Sequence, residues 1–335
     1  MHIDGNVMKP ASPGGVGRAS EPASEPEVPA TATTDSIAAR QNGPWSIQLL
    51  AAQRQLYSES KRWRRLRAWS VTAMALIGVG ATLFAPDLLK ILGPVGAVFG
   101  VAQWLASVVE KQRTKTAADV QEQFDTSVYP LDWNPVLGAK ADAEEVIGAA
   151  SRFKGDRAKL LNWYSIPEGV PRPLDVLLCQ RSNLRWDAEL RRAYANTVLA
   201  GLALFFLAIV AVGLAQGRSV VEFGLAFLPS AGAFLFAAET VRSHRQHAST
   251  QLDLKRKLEA AWDKARANPR SVRGQDLRAI QDGICHLRAV APPVPDGFYW
   301  RRRNDLEREM RLAAERMWAE AEAARPKGRS SRPLS

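Results

Sequence analysis

Three clusters in this sequence combine side chains that could hold a phosphorylated, base-bearing ligand. They are Arg40-Gln41-Asn42, the stretch Cys179-Gln180-Arg181-Ser182-Asn183 with Trp186-Asp187 after it, and Phe298-Tyr299-Trp300-Arg301-Arg302-Arg303. Arginine forks grip phosphate oxygens, flat rings stack on bases, and amides read base edges. Arg40, Asn42, Arg181, Asn183, Trp186, Tyr299, Trp300 and Arg301 are therefore the candidate ligand-binding residues. A plainer reading covers the same residues: the aromatics pack a helical core and the arginines lie along a lipid surface. Sequence alone favours the plainer reading.

No catalytic constellation accompanies the clusters. The chain has no Walker loop, no G-x-G-x-x-G after a strand, no G-x-S-x-G and no H-E-x-x-H. His244 and His247 are three positions apart and could share a helix face, but no further ligands lie near them to complete a metal site. Cys285 and His286 are adjacent, and neighbouring helical residues point about 100° apart, a poor geometry for a nucleophile and its base. The other cysteine, Cys179, is distant, so neither a disulfide framework nor a cysteine-rich zinc module is available. No enzyme activity, no cofactor and no metal are expected.

The elements that position these clusters are set by four apolar runs. They are Trp69–Ala85, Ile91–Val109, Ala195–Gln216 and Val220–Val241. Each approaches the ~20 residues that cross a ~30 Å hydrocarbon core as a helix. None alternates polar with apolar residues as a barrel strand would, and helices satisfy their own backbone groups in lipid. Short links, Pro86–Lys90 and Gly217–Ser219, join the runs into two hairpins. The expected fold is thus all-α: an integral membrane protein with four transmembrane helices in two hairpins and a helical cytoplasmic region.

Charge gives the orientation. The flanks carry Lys61, Arg62, Arg64, Arg65, Arg67, Lys111, Arg113, Lys115, Arg185, Arg191, Arg192, Arg242, Arg245, Lys255, Arg256 and Lys257, whereas the two short links carry only Lys90 and Arg218. Flanks rich in Lys and Arg stay cytoplasmic, so both termini are expected inside the cell. The formal charge of +11 is then explained by topology and anionic headgroups, with the lipid bilayer as partner and no direct DNA or RNA binding expected.

The chain divides accordingly. Residues 1–35, rich in Pro, Ala, Ser and Thr and without the apolar core of a secretory signal, read as a disordered tail. Residues 36–68 form a cytoplasmic helix leading into the membrane, with a helix start expected at Pro44 after Gly43 and with Trp45, Leu49, Ala52 and Leu56 on one face. Hairpin 1 covers 69–109 and hairpin 2 covers 195–241. The cytoplasmic helical regions are 110–194 and 242–325, and 326–335 is a basic disordered tail. Short helices are expected at Ala141–Phe153 and Asp156–Trp163, with longer ones at Asp175–Tyr194, Arg242–Asn268, Ser271–Val290 and Phe298–Arg325.

Inside the second run, Gly96-x-x-x-Gly100 permits close helix approach, either between chains or within the hairpin. Gln103 could line a pore or join an interhelical hydrogen bond. Pro94 and Pro229 could bend the second and fourth runs.

Arg40–Asn42, Leu49–Trp63 (LLAAQRQLYSESKRW), Phe124–Asn134 (FDTSVYPLDWN), Cys179–Asp187 (CQRSNLRWD) and Phe298–Arg303 (FYWRRR), together with the two-hairpin layout, resemble the SMODS-associated four-transmembrane effector family over roughly residues 36–310. That resemblance implies a pore-forming effector of a bacterial anti-phage system. A partner nucleotidyltransferase makes a cyclic or linear oligonucleotide, and the effector, as a homo-oligomer, disrupts the inner membrane and kills the infected cell. The alternative is a non-enzymatic membrane scaffold recruiting a cytoplasmic partner. A transporter ranks last, because no charge sits mid-run.

Overall fold

The computed structural model describes residues 36–324, apart from residues 218, 220, 222, 223 and 225–227. The two expected tails, Arg218 and several residues at the start of the fourth run lie outside the described residues. Those described form helices and turns with no strand. The helices are α1 (Ile37–Gln41), α2 (Pro44–Phe84), α3 (Leu89–Val128), α4 (Ala143–Ser151), α5 (Leu174–Ala215), α6 (Ala231–Ala267), α7 (Gly274–Val290) and α8 (Asp296–Ala323).

Length is the governing feature. Helices α2, α3, α5 and α6 have 41, 40, 42 and 37 residues, so each is about 55–65 Å long at ~1.5 Å per residue, roughly twice a hydrocarbon core. Each joins a polar half to an apolar half without a break. Helix α2 starts where sequence places it, at Pro44 after the Gly43 N-cap. It turns through a single 3-10 turn, Pro86–Leu88, into α3, which runs unbroken through Pro94. Helix α5 carries the second cluster straight into the third apolar run and stops at Ala215. Gly217 follows at φ 63, a left-handed conformation that glycine adopts without strain.

The polar halves bury a main core and a smaller cluster of Leu190, Val294 and Leu306. Leu49, Ala52 and Leu56 of α2 enter the main core as expected, together with Phe124 of α3, Leu177 and Leu184 of α5, Leu258 of α6 and Leu277 of α7. Trp45, assigned to the same face, is 40% exposed, whereas Ile47 of the same turn packs against that core. The segment 156–163 forms only a 3-10 turn, Arg157–Leu160, held by the Asp156 side chain accepting from the Ala158 N–H. Asn162 at φ 51 then ends it, a left-handed position asparagine tolerates.

The apolar halves have the opposite burial. Val98, Trp104, Leu204 and Leu214 stand in the open although they are large and apolar. Two described helices are long and apolar enough to cross a membrane, the Lys90–Val128 part of α3 and Leu174–Ala215 (α5), and their apolar windows are 0% and 6% buried. A core helix of a water-soluble protein would instead be mostly covered, so lipid is the solvent these surfaces suit. The apolar half of α2 is interrupted by Ser70, Thr72 and Thr82 and ends at Phe84. That of α6 begins only at Ala231 among the described residues. Neither passes the same test.

Candidate functional site

A cavity of about 800 Å3 opens among the polar halves of α2, α5, α7 and α8 and the loop after α4. Helix α2 supplies Arg54, Tyr57 and Lys61 at spacings of three and four, hence one face. Helix α5 contributes Asn183, Trp186, Asp187 and Arg191, α7 contributes Arg288, and the loop contributes Lys159, Asn162, Trp163 and Tyr164. Helix α8 closes the wall with Tyr299, Arg303, Glu307, Arg308 and Arg311. Eight cationic side chains face three carboxylates, and five aromatic rings stand between them.

Each of those carboxylates holds a cation. Lys61 Nζ donates to Asp296 Oδ1 at 2.7 Å, Arg191 Nε donates to Asp187 Oδ2 at 2.7 Å, and Arg303 pairs with Glu307. Burial lowers the pKa of Lys61, and Asp296 offsets part of that shift. Arg191 also donates to the Pro292 carbonyl at 2.7 Å, tying α5 to the linker before α8. Arg54 is different. Its guanidinium lies 5.2 Å from the Trp163 ring, 5.6 Å from Tyr299 and 5.5 Å from Trp300, and its Nε has no hydrogen-bond acceptor.

A buried network braces the back wall. Arg288 Nη1 donates to Asp125 Oδ2 at 2.6 Å, the Tyr164 hydroxyl donates to Asp125 Oδ1 at 2.7 Å, and Asn183 Nδ2 donates to the Tyr164 hydroxyl at 3.0 Å. Gln281 Nε2 bridges Asp125 and Glu122, and Arg278 pairs with Glu122. Burial, reinforced by the Asp125 charge, pushes the Glu122 carboxyl up to about 7.

Of the residues proposed from sequence, Asn183, Trp186 and Tyr299 line this cavity, and Trp186 and Tyr299 pack ring to ring at 5.9 Å. Trp300 stands edge-on to Tyr299 at 5.3 Å but is 45% exposed and does not line the cavity. The others lie elsewhere. Arg40 donates to the Val128 carbonyl at 2.9 Å, Asn42 exchanges hydrogen bonds with Asn162, Arg181 faces Glu259 at 3.7 Å, and Arg301 is exposed. Arg54, Lys61, Trp163 and Arg288 were not singled out. The three- and four-residue spacing of Arg54, Tyr57 and Lys61, off the Leu49–Leu56 face, is the signal that could have found the first two.

In the apolar half, Gln103 Nε2 donates to Ser70 Oγ at 2.6 Å, an interhelical bond within the first hairpin. A Cβ added at Gly96 or Gly100 would meet nothing within 4 Å, so packing inside the chain does not require glycine there. His244 is fully buried and held neutral by burial and by the Arg191 and Arg64 charges. Cys285 is buried, with its thiol pushed up to about 12, whereas His286 is exposed, so the two do not face a common site. Among the described residues no group of three or more His, Cys, Asp or Glu could hold a metal. The cavity is equipped to bind an anion bearing flat rings.

The family model of the SMODS-associating 4TM effector domain matches residues 35–317. A protein of Bacillus cereus (strain VD146) described as a probable CBASS effector molecule is 24% identical over 280 residues, which cover 81% of this chain and 94% of that protein. No solved structure matches the chain.

Proposed function

The chain belongs to the SMODS-associating 4TM effector domain family, and from that premise we propose that it is the membrane effector of a CBASS-type, nucleotide-signalled anti-phage system. Its signal is a cyclic or linear oligonucleotide made by a partner nucleotidyltransferase. On receiving it, the effector oligomerises, permeabilises the bacterial inner membrane and causes abortive infection. One observation carries this reading: two of the helices that wall a cation-rich, aromatic cavity, α2 and α5, run unbroken into far halves that expose apolar surface. A rigid helix ~60 Å long transmits a tilt at one end to the other without an intervening joint.

In this reading the chain crosses the bilayer four times, at 69–109 and 195–241, with both termini cytoplasmic. The segments 36–68, 110–194 and 242–325 form the cytoplasmic helical body. Four helices of one chain enclose no channel, so the pore is built from several copies. Gly96 and Gly100, open on the surface of α3, suit close approach of a second copy. The protein acts without catalysis.

The engagement of Gln103 with Ser70 favours one rival, a membrane scaffold with no conducting path, because it withdraws the most polar side chain of the second run from any lining role. Expression with a nucleotidyltransferase of such a system, while membrane potential is followed, separates the two. The effector reading predicts collapse of the potential once the nucleotide is made. An unchanged potential under proven synthesis contradicts it.

A further inference from the structure

We infer that the cavity is the receptor site for the signal, taking a compact oligonucleotide with at least two phosphodiester groups and a flat base, and that Arg54 is its principal phosphate grip. The inference rests on the effector reading for the source of the ligand, and on the cavity alone for its chemistry.

Arg54 stands among three aromatic rings with no carboxylate within 4 Å among the described residues. Its side chain is half-buried, and partly withdrawing a guanidinium from water without an anion is costly. Lys61, Arg191 and Arg303 each hold an internal carboxylate; Arg54, Lys159 and Arg311 hold none among the described residues, and of these three Arg54 is the half-buried one, the other two being exposed, so its edge is the sheltered one left for an external anion. Arg288 adds a second donor, since Nη1 holds Asp125 while Nη2 is buried without an acceptor.

Phosphate alone does not account for the rest of the wall. Gln53 Oε1 and Gln251 Oε1 are buried acceptors without donors, on side chains 2% and 3% exposed, as the exocyclic amines of a base require. Trp163 and Tyr299 offer ring faces for stacking. The volume of about 800 Å3 lies within the ~300–1,000 Å3 usual for small-ligand sites, which admits a short cyclic molecule and excludes a polymer. Arg54 precedes Trp69, the start of the apolar half, by about 22 Å of helix at ~1.5 Å per residue. A lipid headgroup at the membrane surface does not reach it.

The test titrates the full chain in detergent with cyclic di-AMP, 3′,3′-cyclic GMP–AMP, cyclic tri-AMP and the nucleotide extract of cells with an active nucleotidyltransferase. ATP and inorganic phosphate serve as the linear and bare-anion arms. At least one cyclic compound or the extract binds saturably and more tightly than ATP or phosphate. Arg54→Gln raises its Kd by about tenfold or more, as expected for loss of a charged fork. Trp163→Leu weakens it through lost stacking, and Arg316→Ala, an exposed ion pair elsewhere on α8, leaves it unchanged.

Each variant is melted without ligand first. If Arg54→Gln shows no cooperative melt, Arg54→Lys, which keeps the charge and loses the fork, takes its place. Binding by no compound and no extract, equal binding by a folded Arg54 variant, or equally tight binding of ATP or phosphate overturns the site. The cell assay keeps the two readings apart. Depolarisation as strong with the Arg54 variant as with the unaltered chain removes the site and leaves the effector standing, whereas depolarisation with neither removes the effector.

Discussion

Glu122 and Asp125 lie one turn apart on α3, both fully buried, each against an arginine from α7. Burial, reinforced by the neighbouring Asp125 charge, pushes the Glu122 carboxyl up from 4.5 to about 7. Because its folded-state value exceeds the unfolded one, the contribution is complete below about pH 4.5 and is lost as pH rises through about 7. A shift of that size corresponds to roughly 3 kcal/mol. Thermal melts in detergent between pH 5 and pH 8 should show stability falling with pH, and Glu122→Gln should flatten the slope; an unchanged slope would refute the assignment. Tyr164→Phe removes the hydroxyl that donates to Asp125 and accepts from Asn183, and should cost about 1–3 kcal/mol in denaturant titrations. At this scale the sequence was only partly legible. Trp186 and Tyr299 could be picked out because each sits in an aromatic and basic cluster along the chain. Arg54 and Arg288 could not, because they meet at one cavity only in the folded chain, 234 positions apart by their numbers.

The elements themselves were more legible, because helix starts and apolar periodicity are local. Pro44, the unbroken α5 and the two C-terminal helices all stand where the pattern placed them, within a few residues. What the pattern did not disclose is how the hairpin is locked where its polar and apolar halves meet. There Ser60 and Thr114 hydroxyls are 2.6 Å apart, Arg67 Nη1 donates to Glu110 Oε2 at 2.6 Å, and Arg64 lies 3.5 Å from the same carboxylate. Arg64 also donates to Thr240 of α6 at 2.6 Å, linking the two hairpins at that level. Sequence reading had counted Arg64 and Arg67 only as topology charges. Glu110→Ala leaves both guanidinium groups without their carboxylate and should destabilise the chain by ~3 kcal/mol, against little change for Asp87→Ala in the exposed turn. Equal stability of the two variants would show that the lock contributes nothing.

For the whole molecule, the segregation of apolar from charged sequence foretold the two-ended shape, and the exposure of the apolar halves of α3 and α5 follows it. The count of spans is less direct, because the apolar half of α2 is short and hydroxyl-bearing and the start of the fourth run lies partly outside the described residues. Single cysteines at Asp87 and at Arg245, labelled in intact cells with a membrane-impermeant maleimide, test the topology after both native cysteines are replaced by serine. Labelling of the first alone is expected, and labelling of Arg245→Cys would invert the proposed orientation. The central claim, that a soluble nucleotide makes this chain breach a bilayer, is tested most directly in vesicles containing only the purified protein and an entrapped dye. Nucleotide extract from cells with an active nucleotidyltransferase should release the dye, and extract from cells with an inactive one should not. Dye retained while the same extract demonstrably binds the protein would contradict the account.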